Sequence, residues 1–223
     1  MDKEELVTLL PFNHLLSDKE RNALKEHISF LHFPKGKTIH YGSWDCTGVM
    51  FVRSGSLRTY LLSEEGRDIT LFILAQKDVC MLSATCILDS INFDITIDAE
   101  KDTDIIQVDA DVFRKLIDEN LALKVYALEL TNQRFSDVMK AMQRILFFGI
   151  DERLALFLLE QSKRSGLTDI ALTHGQIAKY ISSSREVVSR RLSALSHAGM
   201  VSLHRCGVRI TNPTALKALT QDV

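Results

Sequence analysis

The chain has 223 residues, 46% of them hydrophobic and 25% charged, so it is long enough for two folded domains and has the composition of a globular protein. No apolar run approaches the about 18 residues of a membrane-spanning helix, and the acidic start MDKEELVTLL excludes a signal peptide, which together predict a cytoplasmic location. The net charge of −2 is unevenly divided: residues 150–223 hold 10 Lys/Arg against 6 Asp/Glu, and residues 1–149 hold 17 against 23, which predicts a phosphate-bearing partner for the basic end.

The N-terminal segment, residues 4–30, has the pattern of one or two short helices broken at Leu10-Pro11. Ser17 is a predicted helix cap, and Glu20 completes a capping box with it. From Leu31 the pattern changes to short β-type runs separated by glycine-containing turns, at 38–41, 49–52, 57–62, 69–74, 93–97 and 105–108. Many short strands with regular turns predict a sandwich or a roll closed on itself.

A helical pattern returns at Asp111 and continues to residue 148 with two apolar series at heptad spacing. Heptads of this length predict a coiled coil, and one polar residue on the seam can fix a two-stranded register. We therefore predict a homodimer through these residues: Leu121, Leu128, Phe135 and Met142 in one series, and Val125, Asn132, Met139 and Leu146 in the other. The alternative is that this face packs on the β-roll, although Val138, Ile145 and Phe148 lie off the seam and could do that packing.

Gly149 is predicted to end the long helix, and Asp151 to cap the next one. The junction is therefore a predicted hinge. It divides the chain into a β-rich domain with N-terminal helices (1–110), a dimerisation helix region (111–148) and a C-terminal domain (149–223). The predicted fold class is α+β.

Residues 172–199 contain two short helical patterns on either side of a serine cluster, Ser182 to Ser184. Thr173 is the predicted cap of the first helix, whose apolar face is formed by Ile177, Ala178 and Ile181. The second helix has an apolar stripe of Val188, Leu192 and Leu195, and Gly199 provides a left-handed stop. This is the pattern of a helix-turn-helix that reads DNA.

The outward face of the second helix carries residue types that bind base edges in a major groove: Arg185, Glu186, Ser189 and Arg190. Arg191 is predicted to bind a phosphate instead. An ordinary surface helix with a solvated charged face is the alternative, but a predicted hairpin follows at residues 201–210 and favours a winged DNA-binding module. Its tip carries His204, Arg205 and Arg209, within reach of backbone phosphates.

The run from Arg185 to Arg190, REVVSR, resembles the recognition signature of the CRP/FNR family of bacterial transcription regulators, R-E-x-x-S-R or R-E-x-x-G-R. The resemblance implies that Glu186 and Arg190 read bases, with Ser189 indicating a TTGAT half-site. Ser182 stands where the family commonly has glycine, and Arg191 where an apolar residue is frequent. Residues 33–72 are similar to the β-roll sensor of this family and of cyclic-nucleotide-binding domains, so the expected fold is a double-stranded β-helix followed by a winged helix-turn-helix.

The family's cyclic-AMP and iron–sulfur signatures are both missing. Leu82 lies where cyclic-AMP-binding members have the glutamate that holds the ribose, and Asp94 lies where they have the phosphate-binding pair. Residues 1–45 lack the cysteine cluster of the iron–sulfur members. We therefore predict no cofactor, and a small-molecule effector or redox signal other than cyclic AMP, acting near Cys80, Met81, Leu82, Cys86, Phe93 and Asp94.

Three sensor mechanisms remain open at this stage. Cys80 and Cys86 could form a redox pair, although a buried free cysteine that acts as a small hydrophobe is favoured. Haem could bind through His32, His40 or a cysteine, although nothing in the spacing selects one. A small apolar ligand could lie between the roll and the long helix, against Met81, Phe93, Phe135 and Met139.

The function predicted from these observations is a homodimeric, sequence-specific regulator of transcription that binds palindromic double-stranded DNA. An activator would also contact RNA polymerase, but no motif marks such a surface. The alternative without DNA is a ligand-binding regulatory subunit, and no motif for catalysis is present.

Overall fold

The structure is a computed structural model that describes residues 2–42, 47–66, 68–81 and 94–220. The chain divides into two compact units, one of residues 1–67 and 71–139 and the other of residues 68–70 and 140–223. The boundaries at 110/111 and 148/149 stay predictions. Among the described residues, no helix combines the length and hydrophobicity needed to cross a bilayer.

The first unit begins with two short helices, α1 (Lys3–Leu9) and α2 (Asp18–Lys25), joined by a 3-10 turn at Asn13–Leu15. The predicted capping box is confirmed: the Ser17 hydroxyl accepts from the Glu20 amide at 3.4 Å, and the Glu20 carboxylate accepts from the Ser17 amide at 2.6 Å. The helical pattern through residue 30 was wrong, because a strand, β1 (Ile28–Phe33), already begins there. This strand forms by pairing with residues 103–108, a partner that local periodicity does not reveal.

Seven further strands build two antiparallel sheets of the predicted roll. They are β2 (Thr38–Tyr41), β3 (Val49–Ser54), β4 (Ser56–Leu62), β5 (Asp68–Ala75), β6 (Val79–Cys80), β7 (Thr96–Ala99) and β8 (Thr103–Val108). One sheet has the order β1-β8-β3-β6 and the other β2-β7-β4-β5. The roll has an apolar cluster in its interior that includes Met50, Leu57, Ile97 and Ile105.

The long helical pattern is divided at Asn120, which corrects the prediction of one helix from residue 111. The helix α3 (Ala110–Glu119) ends there, and α4 (Leu121–Phe147) begins. Asn120 has an extended backbone, its side-chain oxygen accepts from the Leu123 amide at 3.1 Å, and its amide group donates to the Leu15 carbonyl at 2.9 Å. These hydrogen bonds satisfy groups at the new helix end and hold it against the N-terminal segment.

The second unit contains α5 (Ile150–Ser165), β9 (Asp169–Ile170), α6 (His174–Tyr180), α7 (Arg185–His197), β10 (Val201–His204), β11 (Gly207–Ile210) and α8 (Pro213–Ala218). The predicted cap at Asp151 was wrong. Gly149 is the cap residue of α5, and its amide donates to the Glu152 carboxylate at 2.6 Å, so Asp151 lies inside the first turn. The three short strands form a sheet of order β10-β11-β9.

Candidate nucleic-acid interface

The first helix of the motif, α6, begins at a capping box. The Thr173 hydroxyl accepts from the Gln176 amide at 3.2 Å, and the Gln176 side chain accepts from the Thr173 amide at 2.9 Å. Ile177 and Ala178 are buried on its inner face, and Tyr180 stacks on Phe157 of α5 with ring centroids 5.0 Å apart. The predicted cap is confirmed, and Thr173 therefore has a local role as well as its predicted place at the interface.

The turn between α6 and α7 is tight. Ser182 has a left-handed backbone with φ of 52°, at the position where the family pattern has glycine. The Ser183 amide donates back to the Ala178 carbonyl at 3.0 Å, and Ser184 caps α7 by accepting from the Val187 amide at 3.3 Å. The two helices are therefore joined without glycine, by a backbone conformation that is unusual for serine.

Arg153, on the neighbouring helix α5, binds this turn. Its Nη1 donates to the Ile181 carbonyl at 2.9 Å and to the Ser182 carbonyl at 3.4 Å. Burial lowers the pKa of the Arg153 guanidinium, which nevertheless keeps its charge because free arginine titrates far above neutral pH. Its Nε is buried and makes no hydrogen bond to any described residue. No sequence motif or periodic pattern points to Arg153.

The helix α7 has the predicted two faces. Val188 and Leu192 are fully buried and Leu195 is 6% exposed, whereas Arg185, Glu186, Arg190 and Arg191 are exposed and Ser189 is half-buried. The pKa of Glu186 is lowered, chiefly by a hydrogen bond from its own backbone amide and by one from the Ser184 hydroxyl. The positive charges of Arg185 and Arg190 lower it further. The outward face thus presents an ionised acceptor among cationic donors, which is a pattern suited to base edges.

The neighbouring Arg191 has an acidic partner. Its Nη1 lies 3.5 Å from an oxygen of Asp151, and both side chains are nearly half-exposed. The predicted role of Arg191 as a phosphate ligand would therefore require it to leave or share this carboxylate.

The hairpin that follows is the predicted wing. Val201 pairs with Ile210 and His204 with Gly207, and the third strand, β9, pairs with β11. Gly207 is required by close approach: a Cβ atom there would lie 2.1 Å from the Ile170 carbonyl oxygen. His204, Arg205 and Arg209 are all exposed near the tip, as the sequence predicted.

Two of these wing residues bind one carboxylate. The Asp169 oxygens lie 2.8 Å from His204 Nε2 and 2.8 Å from Arg209 Nη2. The pKa of Asp169 is lowered, first by the Arg209 hydrogen bond and then by His204. Asp169 was not identified from the sequence, because β9 has only two residues and lacks a periodic pattern.

The predicted dimerisation residues form one exposed face of α4. All seven apolar members are exposed by 46% to 75% of their surface, and Asn132 is exposed among them. Leu123 and Ala127, on the opposite face, belong to the core of the first unit, and Val138 packs against the roll interior as predicted. The seam is therefore not used in packing within the described chain. A second face of α4 does that packing.

The predicted effector region is described only in part. Cys80 and Met81 are 1% exposed and Asp94 is exposed, whereas Leu82, Cys86 and Phe93 lie outside the described residues, so the Cys80–Cys86 pair stays a prediction. Phe135 and Met139 are exposed on the seam and do not join the buried cluster that holds Met81, which corrects the proposed apolar ligand site.

The histidines considered as haem ligands have polar neighbours. His32 Nδ1 lies 2.8 Å from an Asp104 oxygen, and the buried His40 has Nδ1 at 3.3 Å from the Thr47 hydroxyl. Among described residues, no group of three or more histidine, cysteine or acidic side chains could hold a metal ion.

Arg134 is an additional polar feature of the first unit. Its side chain is 7% exposed, with Nη1 at 2.9 Å from Asp137 and Nη2 at 3.4 Å from Asp78, and its guanidinium lies 5.3 Å from the Phe72 ring centroid. The buried charge is thereby neutralised by two carboxylates. Arg134 lies within the predicted helix, but the sequence pattern does not indicate its contacts with Asp78, Asp137 and Phe72.

The comparisons with known proteins agree with this geometry. A model of the Crp-like helix-turn-helix domain matches residues 152–219, and a model of the cyclic nucleotide-binding domain matches residues 30–120. A crystal structure from Eubacterium rectale, of a protein assigned to the Crp/Fnr family of transcriptional regulators, is 39% identical, with a TM-score of 0.89 over 95% of this chain and 98% of that one.

More distant relatives also match most of the length of this chain. The global nitrogen regulator of Synechococcus elongatus is 24% identical over 89% of this chain and 92% of its own. The structure of FixK2 from Bradyrhizobium japonicum shares the fold, with 22% identity and a TM-score of 0.72 over 88% of this chain and 98% of that one. The matches thus extend over both compact units.

Proposed function

Because this chain belongs to the CRP/FNR family of transcription regulators, we propose that it acts in the cytoplasm as a homodimeric, sequence-specific DNA-binding protein and not as an enzyme. The observation that carries the proposal is the exposed face of α7. Arg185, Glu186 and Arg190 extend from a capped helix whose other face is fully buried, beside a wing with exposed basic residues.

Each exposed residue has a proposed part in DNA recognition. Arg190 donates two hydrogen bonds to a guanine, Glu186 accepts from a cytosine amino group, and Arg185 and Ser189 complete the base contacts. Arg191, Thr173, His204 and Arg205 bind the backbone and fix the position of the helix in the groove.

The dimer is proposed through the exposed seam of α4. An apolar face of this length is unfavourable in water, and pairing two copies in heptad register would bury it while Asn132 sets the register. Two recognition helices about 34 Å apart would then read a palindrome. A surface for RNA polymerase, which an activator needs, has no candidate among the described residues.

We also propose that the effector is not cyclic AMP. The first unit has the sensor fold, but in the sequence Leu82 replaces the ribose-binding glutamate of cyclic-AMP-binding members. The Asp94 carboxylate would in addition repel a phosphate. A small molecule of another class, or a redox signal at Cys80 and Cys86, remains as the proposed input.

A mobility-shift titration tests the proposal, with a TTGAT-N4-ATCAA duplex and a scrambled duplex as control. We expect strong preference for the palindrome, falling affinity with added salt, and no effect of cyclic AMP on either affinity. The titration is repeated under oxidising and reducing conditions, because a redox signal at Cys80 and Cys86 is one of the proposed inputs and would change the affinity for the palindrome. Equal affinity for both duplexes in every condition would contradict the proposal.

Two arginine variants separate base reading from phosphate binding. Arg190→Ala should reduce the preference for the palindrome by about 5- to 150-fold for each half-site, because a good bidentate base contact discriminates by about 1–3 kcal/mol. Arg191→Ala should weaken both duplexes alike, because a phosphate contact carries no sequence information. If both variants bind like the wild type, the assignment of α7 as the reading helix fails.

A further inference from the structure

Arg153 lies outside the reading helix but binds the turn that determines its direction. From the first turns of α5 it reaches the last carbonyl groups after α6, those of Ile181 and Ser182, at 2.9 and 3.4 Å. We infer that Arg153 is a positioning residue for DNA recognition, which fixes α7 relative to α6 by holding these two carbonyls. The inference rests on the proposed DNA-binding function.

The turn needs such a support because of Ser182. Ser182 has a left-handed backbone, which is unfavourable for a residue with a Cβ atom, whereas glycine adopts it readily. If Ser182 relaxed to a right-handed conformation, the chain would leave α6 in another direction, and the start of α7 would rotate. The sequence thus has serine at a strained position and an arginine opposite it.

The hydrogen bonds of Arg153 can offset this cost. Carbonyl groups at a helix end lack partners within the helix, and Ile181 is 5% exposed whereas Ser182 is half-buried, so the Ile181 carbonyl has the greater need of a protein donor. Hydrogen bonds from a charged donor are about twice as strong as neutral ones. One guanidinium nitrogen that contacts two successive carbonyls therefore stabilises the left-handed turn over its alternatives.

Arg153 differs in this from the other arginine of the same helix. Arg164 is exposed near the end of α5, and among the described residues no contact of its side chain is seen with the turn. It provides a matched control for loss of one positive charge from α5.

The test compares four variants: Arg153→Met, Ser182→Gly, the two combined, and Arg164→Met. Arg153→Met keeps the length of the side chain but removes the donors, and we expect the palindrome preference to fall by about 10- to 100-fold. Ser182→Gly should bind like the wild type. In the combined variant glycine removes the backbone cost, so about tenfold of the lost preference should return. Arg164→Met should have no effect on the preference.

This recovery distinguishes positioning from packing. If Arg153 only stabilised the unit, Arg153→Met would lower the melting temperature and the affinity for both duplexes, and Ser182→Gly would raise the melting temperature equally with and without Arg153. Arg153→Lys, which keeps a donor, is made in case the methionine variant does not fold, and we expect a smaller loss of preference. Wild-type preference in both position-153 variants would overturn the inference.

An experiment without DNA separates this inference from the proposed function. Hydrogen exchange of the Ser183 amide, which binds the Ala178 carbonyl, should accelerate in Arg153→Met and return toward the wild-type rate in the combined variant. A wild type without duplex preference would contradict the proposed function alone. Unchanged exchange in Arg153→Met would contradict the turn contact alone.

Discussion

The Asp169 carboxylate connects the strand before the helix-turn-helix to two residues of the wing. It accepts from Arg209 and lies 2.8 Å from His204, and both contacts favour its ionised form. The pKa of Asp169 is therefore below its ordinary value of 3.8. A carboxylate with a lowered pKa stabilises the folded state above its unfolded pKa, and this contribution is lost as pH falls through the folded value.

We expect Asp169→Asn to destabilise the winged unit modestly at neutral pH, because the site is open to solvent. The difference in unfolding free energy between wild type and variant should persist down to about pH 4 and shrink below it. Urea unfolding at a series of pH values measures this. Asp118→Asn, at an exposed position of α3, is the control and should not show this loss. A difference independent of pH would contradict the assignment.

The exposed and buried residues of one helix could be predicted from the sequence, whereas contacts between elements could not. The stripe of Val188, Leu192 and Leu195 directly fixes which side of α7 is exposed, so Arg185 and Arg190 follow from periodicity. Arg153 contacts residues 28 positions away along the chain, and Asp169 contacts residues 35 and 40 away. Such pairs depend on how distant elements pack together, and local sequence patterns do not reveal that packing.

Among the elements, boundaries were harder to predict than element types. Most strands of the roll follow the predicted runs, but the first half of β1, residues 28–30, was assigned to a helix because its pairing with β8 is non-local. The helix break at Asn120 was missed because apolar periodicity continues through it. An asparagine that caps a helix is a local signal and could have been recognised.

The helix α4 has two apolar faces with different uses. One, including Leu123 and Ala127, packs into the first unit, and the other is the exposed seam. Heptad spacing predicted that the seam residues share one face, because a residue every three or four positions returns to the same side of a helix. The face that packs on the roll was less evident, since it includes the buried Arg134.

Phe135→Glu places a charge in the middle of this seam and should convert the proposed dimer to a monomer. Affinity for the palindrome should fall at least about hundredfold, because two linked half-site contacts become separate ones. Sedimentation velocity gives the mass, and the mobility shift gives the affinity. Gln133→Glu adds the same charge at an exposed position off the seam and should remain dimeric. A dimeric Phe135→Glu would show that another surface joins the subunits.

At the scale of the whole molecule, the two parts of the sequence differ in chemistry as well as in fold. The acidic first part forms the roll and the N-terminal helices, and the basic last part forms the winged unit. This division was evident from counting charges, and the matches at residues 30–120 and 152–219 follow it. The effector could not be predicted, because family resemblance gives the sensor fold but the ligand depends on individual side chains.

The basic part also contains carboxylates that pair with arginines near the proposed DNA-binding surface. Asp151 holds Arg191, and Asp169 holds Arg209. On binding DNA these arginines would exchange one anion for another, and each released carboxylate would attract a cation from solution. A simple phosphate contact releases about 0.9 of a counterion from DNA. Here the cation taken up by the freed carboxylate would offset that release, so the net number of ions released for each contact would be smaller.

The consequence is an affinity that tolerates changes in ionic strength. Asp151→Asn combined with Asp169→Asn should steepen the plot of log affinity against log salt concentration by roughly one unit for each aspartate. Titrations of both proteins at several salt concentrations give the two slopes, and parallel lines would mean that the ion pairs persist on DNA. If the slopes differ as expected, the two aspartates compete with DNA phosphates for the arginines. They then lower the affinity for DNA in dilute salt and reduce its loss in concentrated salt.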